Sequence, residues 1–140
     1  MDLNEHLMIS AAGSAAIAVG GGGWESALAF SIAGVFVDLD HFLDYWRETG
    51  FNLDLRRFFS YFSSGHPSKL YLILHAWEWC GLAFAAWALR QGPAWVCWGL
   101  LGWFQHLLLD QRFNRLHAMS YFFFFRARHR FHSRILYGKP

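Results

Sequence analysis

Four apolar runs, separated by short turns or by polar segments, dominate the pattern of residues along the chain. The runs cover Leu7–Gly23, Trp24–Phe42, Leu70–Leu89 and Pro93–Leu109. A helix that crosses a hydrocarbon core of about 30 Å needs about 20 residues, and each run comes near that length. The pattern therefore predicts an all-α polytopic membrane protein with about four transmembrane helices in an up-down bundle.

The segments between and after these runs are polar enough to lie at a membrane interface. Within residues 43–69, the stretch Phe51–Phe62 places aromatic side chains beside two arginines, as is typical of an amphipathic interfacial helix. Residues 113–140 are basic and aromatic without a clear helical period. We therefore expect a four-helix membrane domain over residues 1–112, with residues 43–69 as an interfacial insertion, and an interfacial tail over residues 113–140.

The composition favours this class of protein over a soluble one. Of the 140 residues, 55% are hydrophobic, 20% are aromatic and only 16% are charged, whereas soluble domains average about 25% charged residues. A chain of this size has too little interior to bury so much apolar surface, which argues against an ordinary soluble enzyme. The formal net charge of +2 is too small to indicate a nucleic-acid partner.

The distribution of cations predicts an orientation in the membrane. With the N-terminus in the cytoplasm, every Lys and Arg except Arg90 falls on the cytoplasmic side of the four runs. Positive residues are enriched in the cytoplasmic loops of membrane proteins. We therefore predict a multi-pass protein with both termini in the cytoplasm.

A first group of ionisable residues ends the second apolar run. Asp38, Asp40 and His41 lie within four residues, and Asp44 follows them. Asp38 and His41 share one helix face at this spacing, and three Asp residues at a helix C-terminus would oppose the helix dipole. Because ionisable residues are costly in membrane segments, we interpret this group as a metal-binding or catalytic one rather than as a solvated helix end.

Two further pairs of ionisable residues lie inside apolar runs. His75 and Glu78 are three positions apart in the third run, and His106 and Asp110 are four positions apart in the fourth. On a helix, both spacings place the imidazole next to the carboxylate. Each pair is therefore either a ligand or acid–base pair, or a hydrogen-bonded pair that joins helices.

In the predicted bundle all these groups fall at the cytoplasmic end, where His6 and His66 are also expected. Bundles build metal sites from inward-facing His and carboxylate side chains of several helices. We therefore predict one to three divalent transition-metal ions, zinc first, with manganese or iron as alternatives. The predicted metal ligands are His6, Asp38, Asp40, His41, His66, His75, His106 and Asp110.

Two of these motifs resemble those of a known family. Asp38-Leu-Asp40-His41 and the later His106-Leu-Leu-Leu-Asp110 resemble the D-x-D-H and H-L-L-L-D motifs of inner-membrane metal-dependent hydrolases of the LexA-regulated type. His6 fits the N-terminal His of that family. Its ligand pattern is similar to that of zinc phospholipase C and nuclease enzymes, so the resemblance implies phosphoester hydrolysis in a bacterial inner membrane.

The leading hypothesis is a membrane-embedded metal-dependent hydrolase that acts on a phosphoester of a lipid or lipid-linked substrate at the cytoplasmic interface. In it, the principal metal site consists of Asp38, Asp40, His41, His106 and Asp110, and a second site is completed by His6, His66 and His75. Glu78 acts as a base or ligand, and a neighbouring arginine, Arg57 first with Arg56 and Arg112 as alternatives, holds the substrate phosphate. Two alternatives stay open. One is a non-enzymatic small subunit or assembly factor, in a homo-oligomer or a larger membrane complex. The other is a haem protein with intramembrane His ligands.

Overall fold

The computed structural model describes residues 3–64, 67–114 and 116–137. Over these residues the chain is all-α, as the apolar pattern predicts, and its β pairing is limited to an isolated bridge between Lys69 and His132. Two short 3-10 helices cover Val37–Leu39 and Ala118–Tyr121. The α-helices are α1 Leu3–Val19, α2 Trp24–Phe36, α3 Asp40–Thr49, α4 Leu55–Ser64, α5 Trp77–Leu89, α6 Ala94–Phe113, α7 Phe123–Arg128 and α8 Ser133–Leu136.

The chain forms two compact units, each built from two separate stretches of sequence. The first unit takes residues 1–37 and 77–114, and the second takes residues 38–76 and 115–140. The first therefore holds α1, α2, α5 and α6, and the second holds α3, α4, α7 and α8. The sequence-based division into residues 1–112 and a tail is a different partition and stays a prediction.

Glycines allow the helices of the first unit to approach closely. A Cβ atom on Gly102 of α6 would overlap the carbonyl oxygen of Phe30 in α2. A Cβ atom on Gly34 of α2 would lie 2.6 Å from the Oγ atom of Ser10 in α1. Small residues at such crossings are typical of helices that pack in a membrane.

The first unit distributes polarity in the opposite sense to a soluble bundle. Large apolar side chains are exposed on all four helices, with Val19 91% exposed and Leu89 87% exposed. Several polar side chains, in contrast, are almost fully buried. They are His6, Ser10, Ser26, His106 and Asp110. A hydrophobic solvent around the unit would account for both observations.

In the described residues, one helical stretch is long and apolar enough, by length and composition, to cross a membrane. It covers Trp24–Thr49, has 26 residues, and joins α2, the 3-10 turn and α3. The second apolar run was predicted to end at Phe42, and the structure extends the helical stretch beyond it. The arrangement with four transmembrane helices stays a prediction.

Acidic side chains at every fourth position of α3 organise the second unit. Glu48 accepts hydrogen bonds from the N–H groups of Ser68 and Lys69. Asp44 accepts hydrogen bonds from the N–H groups of Tyr71 and Leu72 at 2.8 and 3.2 Å. Asp40 accepts a hydrogen bond from the N–H group of Leu74 at 2.7 Å. The segment 68–74 therefore runs antiparallel to α3, along a stripe of carboxylates spaced four residues apart.

This segment corrects the predicted third run. The sequence pattern places a helix over Leu70–Leu89, but the helix begins at Trp77, and residues 70–76 are irregular, with a turn at Ile73 and Leu74. The carboxylates of α3 capture the backbone N–H groups that a helix would need, and Leu72 has a positive φ of 42°. The expectation that helical spacing pairs His75 with Glu78 is therefore wrong, because His75 lies before the helix.

The amphipathic helix predicted over Phe51–Phe62 is confirmed as α4, which begins at Leu55. Asp54 accepts a hydrogen bond from the N–H group of Arg57 at 3.1 Å, as N-terminal Asp residues commonly do. Phe58 is buried, whereas Arg57 is exposed. Tyr61 on the same helix donates to Glu48, and partial burial together with this carboxylate raises the pKa of the Tyr61 hydroxyl well above its usual range.

Candidate metal centre

A cluster of two carboxylates and two imidazoles lies in the second unit, around the start of α3. The Nδ1 atom of His75 is 3.0 Å from Oδ1 of Asp40 and 3.1 Å from its Oδ2. The Nδ1 atom of His41 is 3.3 Å from Oδ1 of Asp40. Asp38 approaches the same imidazoles, with its Oδ1 3.4 Å from Nε2 of His75 and 3.6 Å from Nδ1 of His41.

The separations of Asp40 Oδ1 from Nδ1 of His41 and from Nδ1 of His75 fit ligand atoms of a common metal ion. Asp38 faces the opposite nitrogen of His75 and so lies outside this set of three. Ligand bonds of about 2.1 Å in a tetrahedral zinc site place ligand atoms about 3.4 Å apart. Oδ1 of Asp40 and Nδ1 of His41 are buried, and neither makes a hydrogen bond with a described residue. Asp40, His41 and His75 each offer one ligand atom within 4.8 Å of the others. The group could hold a metal ion, as predicted.

The local backbone explains why Asp40 faces His75. The 3-10 turn Val37–Leu39 ends α2 at Phe36, and Asp40 opens α3. The expectation that these Asp residues oppose a helix dipole at a C-terminus is wrong for Asp40, because the helical stretch continues beyond it to Thr49. The Asp40 side chain is 1% exposed, whereas those of Asp38 and His41 are about one quarter exposed, so one side of the cluster opens to the surroundings.

The turn that carries His75 is held from two sides by charged side chains. Asp40 and Asp44 accept its N–H groups, as described above. On the carbonyl side, Arg126 of α7 donates from Nη2 to the oxygen of Leu72 at 2.9 Å and from Nη1 to that of His75 at 2.9 Å. Arg126 also donates to the oxygen of Ser120 at 3.0 Å and is 1% exposed. The position of His75 therefore depends on a residue of the C-terminal segment.

A second group of ionisable residues lies in the first unit. Nε2 of His6 is 2.8 Å from Oδ1 of Asp110, and the rings of His6 and His106 stack with centroids 3.9 Å apart. Nδ1 of His106 donates to the carbonyl oxygen of Gly34 at 2.8 Å, which leaves Nε2 as the ligand atom, 3.6 Å from Oδ2 of Asp110. An imidazole oriented through its other nitrogen in this way is typical of metal-binding His residues.

The structure locates the other predicted residues as follows. Glu78 lies in the first turn of α5 and is half-buried. Arg57 lies on the exposed face of α4. His66 lies outside the described residues. His117 lies beyond α6, which ends at Phe113, and its side chain caps the 3-10 helix Ala118–Tyr121.

Sequence reasoning missed two residues that shape the centre. Asp44 was grouped with the candidate ligands, but its Oδ2 atom holds the backbone of Tyr71 and Leu72. Arg126 was counted as one cation of a surface tail, yet it is among the most buried side chains. The signal for Asp44 was its spacing of four from both Asp40 and Glu48, whereas the sequence around Arg126, which is rich in Phe and Arg, gives no comparable signal.

Comparison with known proteins adds no assignment: no protein-family description matches the chain, and neither a curated protein nor a solved structure matches it.

Proposed function

We propose that the chain is a membrane-embedded, metal-dependent hydrolase that cleaves a phosphoester of a lipid or lipid-linked substrate at the cytoplasmic face of the membrane. The observation that carries the proposal is the cluster around Oδ1 of Asp40, where two imidazole nitrogens lie within 3.3 Å of one buried carboxylate oxygen. The motif resemblance described above supports the same reaction class.

The residues of the second unit would hold the principal ion. Asp40, His41 and His75 supply three close ligand atoms, the number of protein ligands at a catalytic zinc site that keeps its fourth position open. A divalent ion there would lower the pKa of a water and polarise a phosphoryl oxygen. Asp40 keeps its second oxygen on the N–H of Leu74, which fixes the orientation of the carboxylate.

The residues of the first unit would form a second ligand group. His106 and Asp110 supply it, with His6 oriented by Asp110. Nδ1 of His6 makes no hydrogen bond with a described residue although the side chain is 1% exposed. A buried, unsatisfied nitrogen is costly, and a bound cation would remove that cost.

Two observations support a membrane location. The stretch Trp24–Thr49 is long and apolar enough to span a bilayer, and the first unit exposes apolar side chains while it buries His6, His106 and Asp110. A substrate whose scissile group lies at the headgroup level would explain why metal ligands follow an apolar helix at this point in the chain.

Metal content tests this proposal. We expect detergent-purified protein to carry at least one equivalent of zinc, manganese or iron by mass spectrometry, and Asp40→Asn to lose most of it. The Asn amide oxygen still accepts from Leu74, so the variant removes a ligand charge with little change to the turn. Asp54→Asn is the matched control, because Asn is an equally good N-cap and the residue lies outside both clusters.

The outcomes separate the two main hypotheses. Stoichiometric metal that disappears in Asp40→Asn, together with metal-dependent release of phosphate from lipid phosphates, supports the hydrolase. Less than about a tenth of an equivalent in the wild type, even after loading with Zn²⁺ or Mn²⁺, would overturn it. The hydrogen-bonded contacts of His6 with Asp110 and of His106 with Gly34 would then favour a structural subunit of a membrane complex.

A further inference from the structure

A cavity beside the first metal-ligand group is lined mainly by apolar and aromatic side chains, together with Asp40, Asp44 and Arg47. Its volume is about 370 Å³, at the small end of the range for ligand sites, about 300–1,000 Å³. The apolar wall consists of Leu43, Trp46, Phe51, Leu72 and Ile73, all in the second unit. Leu43, Phe51 and Ile73 are each about half exposed or more, so the cavity is open on this side.

One cation lines this cavity. The guanidinium of Arg47 lies over the ring of Tyr71, with Cζ 3.9 Å from the ring centroid. Among the described residues, the Arg47 side chain makes no hydrogen bond or ion pair beside this stacking. The stacking holds the planar group in place and leaves its N–H donors available, and such a fork binds phosphate with two hydrogen bonds.

Both carboxylates that line the cavity accept hydrogen bonds from backbone N–H groups. Asp44 accepts the N–H groups of Tyr71 and Leu72. Asp40 interacts with His75 and with the N–H group of Leu74. Both carboxylates are also buried, whereas Arg47 is exposed, so the guanidinium is the charged group of the cavity that a ligand can reach.

We propose that this cavity binds an anionic phospholipid, with the phosphate on Arg47 and part of one acyl chain along Trp46, Phe51 and Ile73. The inference rests on the proposed function and names its substrate site. It also replaces the sequence-based choice of phosphate ligand, because Arg47 lines the cavity that contains Asp40, whereas Arg57 does not line it. A lipid rather than a free anion is indicated, because one cation in an apolar cavity matches an amphiphile.

Binding to metal-free protein tests this assignment independently of catalysis. The protein is purified in a maltoside detergent, treated with a chelator, and titrated with dihexanoyl phosphatidic acid, dihexanoyl phosphatidylcholine or inorganic phosphate. Tryptophan fluorescence reports binding, and Trp46→Phe identifies the part of the signal that comes from the cavity. We expect a saturable signal with phosphatidic acid that is absent in Trp46→Phe, and affinity about tenfold or more weaker for the other two ligands.

Two charge-removing variants compare the cavity with the general surface. Arg47→Gln is expected to weaken binding of phosphatidic acid about tenfold or more, since hydrogen bonds to a charged group are lost. Arg134→Gln, an exposed cation of α8 in the same unit, removes the same charge and should leave the affinity within about twofold. Helical content by circular dichroism checks that both variants fold.

Each outcome decides the assignment. Equal affinity for phosphatidic acid and phosphatidylcholine would overturn the assignment, and so would unchanged affinity in Arg47→Gln. If inorganic phosphate binds as tightly as phosphatidic acid, the cavity is a site for a free anion and the lipid assignment is wrong. If Arg47→Gln does not fold, the comparison of the three ligands on the wild type and on Trp46→Phe decides alone. Because the metal is removed beforehand, an absence of metal in purified protein would contradict the proposed function without changing this result.

Discussion

At the scale of single residues, Arg126 connects the C-terminal segment to the candidate centre. A buried guanidinium that donates to three carbonyl oxygens replaces the water those oxygens would otherwise bind, and two of the three belong to the turn that ends in His75. Its hydrogen bonds to Leu72, His75 and Ser120 all go to backbone oxygens. It acts through the backbone, and its role is to position the imidazole.

We expect Arg126→Met to destabilise the protein by about 3 kcal/mol or more, because it leaves buried carbonyl groups without a donor. Metal affinity should fall with it, since His75 is no longer held toward Asp40. Arg128→Met, on the exposed side of the same helix, is the matched control. Thermal denaturation measures the first effect, and titration with Co²⁺ measures the second.

The visible spectrum of the Co²⁺ protein separates positioning from general loss of stability. A disturbed His75 should change the ligand-field bands of the Co²⁺ that still binds, at a temperature where the variant is folded. Arg126→Lys should recover part of the wild-type spectrum, because an ammonium can reach some of the carbonyl groups. An unchanged spectrum and affinity in Arg126→Met would show that the contacts with Leu72 and His75 do not matter for the centre.

At the scale of helices, the crossing of α2 and α6 depends on the absence of a side chain at Gly102. We expect Gly102→Ala to lower the melting temperature in detergent by several degrees, since its Cβ would overlap a backbone oxygen, and overpacking of this kind costs about 1–3 kcal/mol. The measurement is a melting curve followed by size-exclusion chromatography.

Gly81 in the middle of α5 provides a matched control, because the same substitution there is expected to leave stability unchanged or to raise it. A Cβ atom there would meet nothing within 4 Å, and Ala in a helix interior is favoured over Gly by about 0.5–1 kcal/mol. Gly81→Ala should therefore melt at or slightly above the wild type. A Gly102→Ala protein as stable as Gly81→Ala would show that α2 and α6 do not pack as closely as described.

Apolar runs predicted the helices well and their ends less well. The pattern indicated α1, α2, α5 and α6, because each presents a long apolar sequence bounded by glycine or proline. It could not show that α5 begins only at Trp77, because Leu70–His75 is apolar enough to continue a helix. Long-range contacts keep the residues before Trp77 out of the helix: carboxylates of α3, some 30 residues earlier in the chain, hold the backbone of the turn.

The candidate site was predictable in part for a similar reason. Motifs within a few residues, such as Asp38 to His41, are visible in sequence, and the structure places His75 with them. The positioning role of Arg126 depends on a contact across 51 residues, which no local spacing reveals. Local chemistry was therefore foreseeable, and the parts that orient it were not.

At the scale of the whole molecule, membrane orientation is the property to measure. In a variant without Cys80 and Cys97, we expect Ala94→Cys to react with a membrane-impermeant maleimide on intact cells and Asp54→Cys to react only after lysis. The reason is that nearly all cations lie on the side of Asp54, which favours the cytoplasm. Both positions are exposed, so accessibility to solvent within the protein does not limit the reaction.

Reaction of Asp54→Cys on intact cells would reverse the predicted orientation. Equal reaction of both positions only after lysis would contradict a chain that crosses the membrane between them. Loss of the protein from the membrane fraction on washing with carbonate would contradict a spanning arrangement altogether.

The contact between Arg126 and His75 also has a consequence for biosynthesis. A ribosome that adds about 5–20 residues per second makes the candidate ligands of the second unit about 3–10 s before it adds Arg126. During that interval the nascent chain already carries Asp40, His41 and His75, but the turn lacks the donor that fixes it. A stop codon just before Arg126 would therefore yield a chain with every one of these ligands and no fixed centre. In the full-length chain, the time at which Arg126 is added would therefore decide when the nascent protein becomes able to retain a cation.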